Sequence, residues 1–185
     1  MDNISFWLDY CQAPKAYTLL EKHGYKHDSI QHGDIGGIKA KISGKFFERC
    51  ERGNFMIAQA IWEDTPSISN LVEEPILFDI ITWHPESHHR WYFLRGEHGL
   101  ILSERSVFES SIFGDPLTLH STPFAWLKSG CQGSVLLDQH GLNRLYGLNE
   151  VICENTDHGK RLERGLSMYY MKNMPRLSVI KENRV

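Results

Sequence analysis

Apolar positions along the chain change their period as it proceeds. At residues 14–23 they fall at helical spacing, with Tyr17, Leu19 and Leu20 as the apolar contacts, and Gly24 follows where a helix stop is expected. Ser5 ahead of Phe6, Trp7, Leu8 and Tyr10 predicts a further helical turn before it, and Pro14 suits the opening of the second helix. The period then becomes two. Ile38, Ala40 and Ile42 alternate with Lys39 and Lys41, as in a half-buried strand. Apolar runs at 55–62 (FMIAQAIW), 75–83 (PILFDIITW), 90–94 (RWYFL) and 99–103 (GLILS) read as further strands. Short polar links join the last three, which predicts an antiparallel meander. Residues 64–74, with Pro66, read as a polar loop, and 106–113 as a short helix closed by Gly114.

The texture changes after Asp115-Pro116. Residues 116–120 (PLTLH), 134–138 (SVLLD) and 150–154 (EVICE) read as strands, with helical pieces between them. Thr122 followed by Pro123 is a helix start, the capping hydroxyl first and proline at the first helical position. Thr156 is expected to cap a long helix to about Asn173, with Leu162, Leu166, Tyr169 and Tyr170 as its apolar face. Pro175 ends it, and residues 176–180 (RLSVI) predict a last strand. The pattern gives an α+β fold: N-terminal helices, an antiparallel β-meander, then a β-α-β-α-β-like C-terminal half. Residues 1–185 are read as a single domain with a lobe boundary near residue 115.

Composition narrows the function classes. Hydrophobic residues make up 41% and charged residues 23%, which fits a folded globular chain. The net charge of −3 lacks the basic excess of a dedicated duplex-binding protein but leaves room for a local basic patch. The apolar runs are strand-sized, far short of the roughly 20 residues of a membrane span. The start has no secretory pattern, and Cys11, Cys50, Cys131 and Cys153 form no CxxC pair. Four free thiols in a reducing cytoplasm are expected.

Candidate chemistry gathers after two strands. Asp138 and His140 follow SVLLD; Glu154, Asp157 and His158 follow EVICE. If those strands are parallel neighbours, their carboxyl ends bring five side chains together that suit a divalent metal or acid–base work. The same residues also serve as turn and helix-start residues. The two segments share a pattern of strand, acid, His-Gly, five residues and Gly-Leu. The segment VICENTDHGKRLERGL also resembles the strand, acid and glycine-helix element of Toprim domains, whose Asp-x-Asp-x-x-Gly acids help to hold magnesium. Alignment on Gly159 puts Glu154 at the first acid and Thr156 at the second, so the second acid is missing, with Asp157 beside it.

Other clusters carry weaker signals. His84, Glu86, His88 and His89 fall between two strands, at a hairpin tip, and Pro85 prevents a helical pair of ligands. Asp79 lies inside an apolar run and needs a partner if it is buried. Cys131 is a thiolate nucleophile only if a base lies near it; a core or loop thiol is the simpler expectation. No GxGxxG, Walker-type loop or GxSxG occurs.

From Lys160 onward the chain is locally basic. Lys160, Arg161, Arg164, Lys172, Arg176, Lys181 and Arg184 stand against Glu163 and Glu182, with Tyr169 and Tyr170 interleaved. Basic and aromatic residues together can hold single-stranded nucleic acid or an acidic protein; an amphipathic helix also presents such a solvated face. Three functions follow. One is a non-catalytic binding module using Lys160, Arg161, Arg164, Tyr169, Tyr170, Lys172 and Arg176 to engage a nucleic acid or protein. The second is a metal-dependent hydrolase or phosphoryl-transfer enzyme on Asp138, His140, Glu154, Asp157 and His158. The third is a structural subunit of a larger assembly.

Overall fold

A computed structural model describes residues 13–25, 35–63, 76–96 and 100–173 of the chain. The expected turn at 5–10, the loop at 64–74, Pro175 and the strand at 176–180 lie outside the described residues. The fold is α+β, with helices packed on two sheets.

Helix α1 (Ala13–Lys22) buries Ala16 and Leu20, and Gly24 turns the chain away at φ 82°. Five strands then close into a barrel: β1 (Ile35–Ser43), β2 (Phe46–Arg49), β3 (Asn54–Glu63), β4 (Ile76–Trp83) and β5 (Trp91–Phe93), in the order β1-β2-β5-β4-β3. The β3–β4 and β4–β5 pairings are antiparallel, the second of them within the expected meander. Closure depends on β1, whose length lets it pair with β2 at one end and β3 at the other. The interior is filled by Ile38, Ala40, Phe47, Met56, Ala58, Ala60, Leu77 and Ile80. Three alanines among them let the walls approach closely.

The outward face of the same strands is also apolar. Ile57, Ile61, Ile81 and Trp83 form a second core with α1 and with the C-terminal half. Cross-strand partners such as Ile57–Trp83 point to one side of the sheet, and the neighbouring pair Ala58–Thr82 points to the other. The barrel wall is therefore buried on both faces here, which explains its nearly continuous apolar runs.

β6 (Ile101–Leu102), expected as the last strand of the meander, leaves the barrel and pairs with β8. It opens the second sheet. There follow α2 (Glu104–Phe113), β7 (Leu117–His120), α3 (Pro123–Lys128), β8 (Ser134–Leu136), a 3-10 helix (Gln139–Leu145), β9 (Val151–Cys153) and α4 (Thr156–Asn173). The sheet order is β6-β8-β7-β9, with β7 parallel to both β8 and β9. The change of sheet comes between Phe93 and Ile101, ahead of the Asp115-Pro116 junction where a lobe boundary was expected. A shared core spans it: Leu102, Phe124, Trp126, Leu127, Val135 and Leu137 pack on the barrel wall. The Trp91 indole N–H also donates to the Leu137 carbonyl at 2.9 Å. Among the described residues, no helix is long and apolar enough to cross a membrane.

Candidate binding face and strand-end crevice

Thr122 caps α3 as expected, its hydroxyl accepting the Ala125 N–H. At α4 the cap is Asn155 rather than Thr156: its side-chain oxygen accepts the His158 N–H at 2.9 Å. Asp138 does the same for the His140 N–H, also at 2.9 Å. The repeated acid or amide ahead of His-Gly thus makes one local device twice, a strand end whose last polar side chain starts a helical turn.

The sheet order decides which side chains meet. β8 and β9 are parallel but not neighbours, because β7 lies between them. At about 4.8 Å per strand their ends stand roughly 10 Å apart, too far for one ion to bond both Asp138 and Glu154. His140 and Asp157 are exposed, whereas His158 is buried. Among the described residues, no group of three His, Cys, Asp or Glu side chains is arranged to hold a metal ion. The expected metal set of Asp138, His140, Glu154, Asp157 and His158 is therefore not assembled. Two parallel strand ends brought together are instead those of β7 and β9.

There the chain builds a polar cluster around His120, a residue the sequence reading passed over as a site. His120 Nε2 lies 2.9 Å from the Gln132 carbonyl, which only accepts, so this nitrogen carries a proton. Nδ1 faces Glu154 Oε1 at 3.1 Å. Burial pushes the Glu154 carboxyl up. Hydrogen bonds from Ser121 and His120, and the charge of His120, outweigh burial and hold it below the usual carboxylate range. His120 thus bridges the Gln132 carbonyl and the Glu154 carboxylate, one through each ring nitrogen. The Ser121 hydroxyl donates to the other oxygen of Glu154. This is not a nucleophile triad. The Ser121 hydroxyl donates its hydrogen bond to the acid rather than to His120, and both ring nitrogens of His120 are already engaged.

A crevice of about 300 Å³ opens beside this cluster, lined by His120, Ser121, Asp138, His158 and Arg161 over a floor of leucines. His158 is 8% exposed, and its Nδ1 has no hydrogen-bond partner among the described residues. Burial holds its imidazole below the usual histidine range, against the opposing pull of Glu154.

Helix α4 forms the outer wall. Leu162, Leu166 and Tyr169 pack inward. At 3.6 residues per turn, Lys160, Arg161, Arg164, Met168, Met171 and Lys172 fall in one exposed sector, with Arg161 at the edge that borders the crevice. Asp157 is the acid in that sector, at its N-terminal end; Glu163 lies outside it. Tyr170, partly exposed rather than part of the apolar face, meets the exposed Tyr146 edge to face at 5.9 Å. Arg176 lies outside the described residues.

The remaining candidates have structural roles. His84 Nδ1 accepts the Glu86 N–H, and His88 Nδ1 bonds the Pro85 carbonyl while its ring rests on Phe124. Asp79 is fully buried and accepts the backbone N–H groups of Ile80, Arg95 and Gly96. Burial raises its carboxyl despite those bonds. Cys50, Cys131 and Cys153 form no disulfide among the described residues, and Cys131 packs on the central core. Compared with known proteins, the chain matches no family model, no curated protein and no solved structure.

Proposed function

We propose that this chain is a non-catalytic binding module of the cytoplasm that holds single-stranded nucleic acid along the exposed face of α4. The observation that carries the reading is the segregation of charge on that helix. Lys160, Arg161, Arg164 and Lys172 share a solvent-facing sector with two methionines, on a chain whose net charge is −3. A phosphate backbone is attracted to such a stripe by counterion release, and the Tyr146–Tyr170 pair offers exposed rings for base stacking.

The test is fluorescence anisotropy with a labelled 20-nucleotide thymidine strand. With three to four phosphate contacts, affinity falls about 20- to 50-fold between 50 and 200 mM salt. Replacing Lys160, Arg164 and Lys172 together by Gln weakens binding at least tenfold and flattens that dependence. Absence of binding at 50 mM salt, or an affinity indifferent to salt, overturns the reading. Binding to polyglutamate with none to the oligonucleotide transfers the face to an acidic protein.

One observation favours the assembly reading as well. Helix α2 leaves Phe108, Ile112 and Phe113 exposed, Phe113 by 72%. Apolar side chains grouped on one helix end suit a protein contact. If they make one between copies of this chain, sedimentation velocity resolves an oligomer that Phe113→Ser together with Ile112→Ser returns to monomer.

A further inference from the structure

The crevice between β7, β8 and α4 opens on the inner side of the helix and meets its exposed face at Arg161, and its chemistry is different. It lies outside the carboxyl ends of parallel strands, beside β7, from which the chain crosses to β8 on one flank and later returns as β9 on the other. Open parallel sheets place ligand sites at such a reversal. The volume of about 300 Å³ is at the lower end of small-molecule sites, and Leu136, Leu137, Leu142 and Leu162 give it an apolar floor.

The polar groups around that floor divide into those already engaged and those still open. Asp138 accepts the His140 N–H with one oxygen and faces Lys45 at 3.9 Å with the other. Glu154 is held by His120 and Ser121. The acids of the crevice are thus partnered. Arg161 has no ion-pair partner among the described residues. His158 is buried, lines the crevice, and has Nδ1 without a hydrogen-bond partner among the described residues. Arg161 is cationic, and the His158 ring carries an N–H donor in either tautomer.

We propose that the crevice is a binding site for a small organic anion: an apolar body of roughly ten heavy atoms, seated on the leucines, bearing one carboxylate or phosphate group that Arg161 and His158 receive. Nothing in this proposal depends on the nucleic-acid reading.

The experiment follows the ring nitrogens of His158 by nitrogen-15 NMR, assigned with His158→Gln, during titration with benzoate, phenyl phosphate and benzylamine. At least one anion produces a saturable shift with a midpoint in the millimolar range, about what so small a ligand attains. Benzylamine binds at least tenfold more weakly. Arg161→Gln, an exposed position, weakens the anion at least fivefold. Gly165→Met abolishes the shift by filling the crevice, whereas Gly165→Ala keeps it, because a Cβ there meets only the Leu142 methyls at 3.5 and 3.9 Å. Preference for phenyl phosphate assigns a phosphate monoester; preference for benzoate assigns a carboxylate. No saturable shift with either anion, equal binding of benzylamine, or an unaltered midpoint in Arg161→Gln overturns the proposal. The arginine variant decides the matter should Gly165→Met fail to fold.

Discussion

The barrel and the second sheet treat their polar groups in opposite ways. In the barrel they are buried within the wall. Asp79 binds three main-chain N–H groups, Thr82 donates to the Ile57 carbonyl, and the Trp83 indole reaches Gln59. In the second sheet they stand at strand ends and bind one another, with His158 and Arg161 left open. Strand direction accounts for the difference. Antiparallel strands finish at alternate edges and scatter their terminal residues. Parallel strands finish together, so His120, Asp138 and Glu154 collect on one edge although 34 residues separate the first from the last.

The contrast can be broken from either side. The largest effect belongs to Asp79→Ala. It leaves three buried or half-buried N–H groups without their acceptor and lowers stability by about 4 kcal/mol in urea denaturation. A loss below about 1 kcal/mol would mean that the barrel does not rely on this carboxylate. Next comes Gly133→Ala. Its φ of 77° and the Thr118 carbonyl oxygen 2.3 Å from the added Cβ cost about 3 kcal/mol where β8 enters beside β7. His120→Ala removes the centre of the strand-end cluster and costs about 2 kcal/mol; a silent substitution would demote the cluster to ornament. Trp91→Phe cuts one hydrogen bond between the two halves, about 1 kcal/mol, and leaves the unfolding transition single if the shared core joins them.

The smallest effect is a pH dependence. The folded imidazole of His158 titrates below its ordinary value of 6.5, so protonation favours the unfolded chain. Its contribution is complete above pH 6.5 and is lost as the pH falls through the folded value. Glu154, also depressed, adds a loss of the same sign below its ordinary 4.5. Asp79 has the opposite sign, since its raised carboxyl favours folding at low pH and loses that contribution as the pH rises. Lowering the pH from 7.5 to 5.5 therefore costs the parent chain more thermal stability than it costs His158→Gln. Equal slopes in the two proteins would separate His158 from this behaviour.

Much of the fold was legible where a local rule was strong enough to stand alone. Thr122-Pro123 announced α3, Gly24 and Gly114 closed their helices at positive φ, and the long alternation of β1 was plain. β2 was not foreseen. Phe46-Phe47-Glu48-Arg49 buries only Phe47, and its place is set by β1, to which nothing local points. The site was half legible. Acids after two strands lie on the sheet edge beside which the crevice opens, but strand order was needed to show that β7 lies between them. Helical phase removed Asp157, since adjacent residues on a helix diverge by about 100° and only His158 can turn inward. His120 was available to the same reasoning as Asp138, because it too is the polar residue that ends an apolar strand.

The barrel closes through its thinnest pairing. β2 and β5 meet in parallel at one residue pair, Phe46 beside Phe93, with the Phe93 N–H on the Lys45 carbonyl. The ring is accordingly a folded ribbon with a clasp rather than a hoop of uniform strength. Opening the clasp disturbs few bonds, while the β3–β4 ladder stays intact. The Phe93 amide therefore exchanges its hydrogen through a local breathing event, long before amides in the middle of β3, whose exchange awaits unfolding of the whole chain.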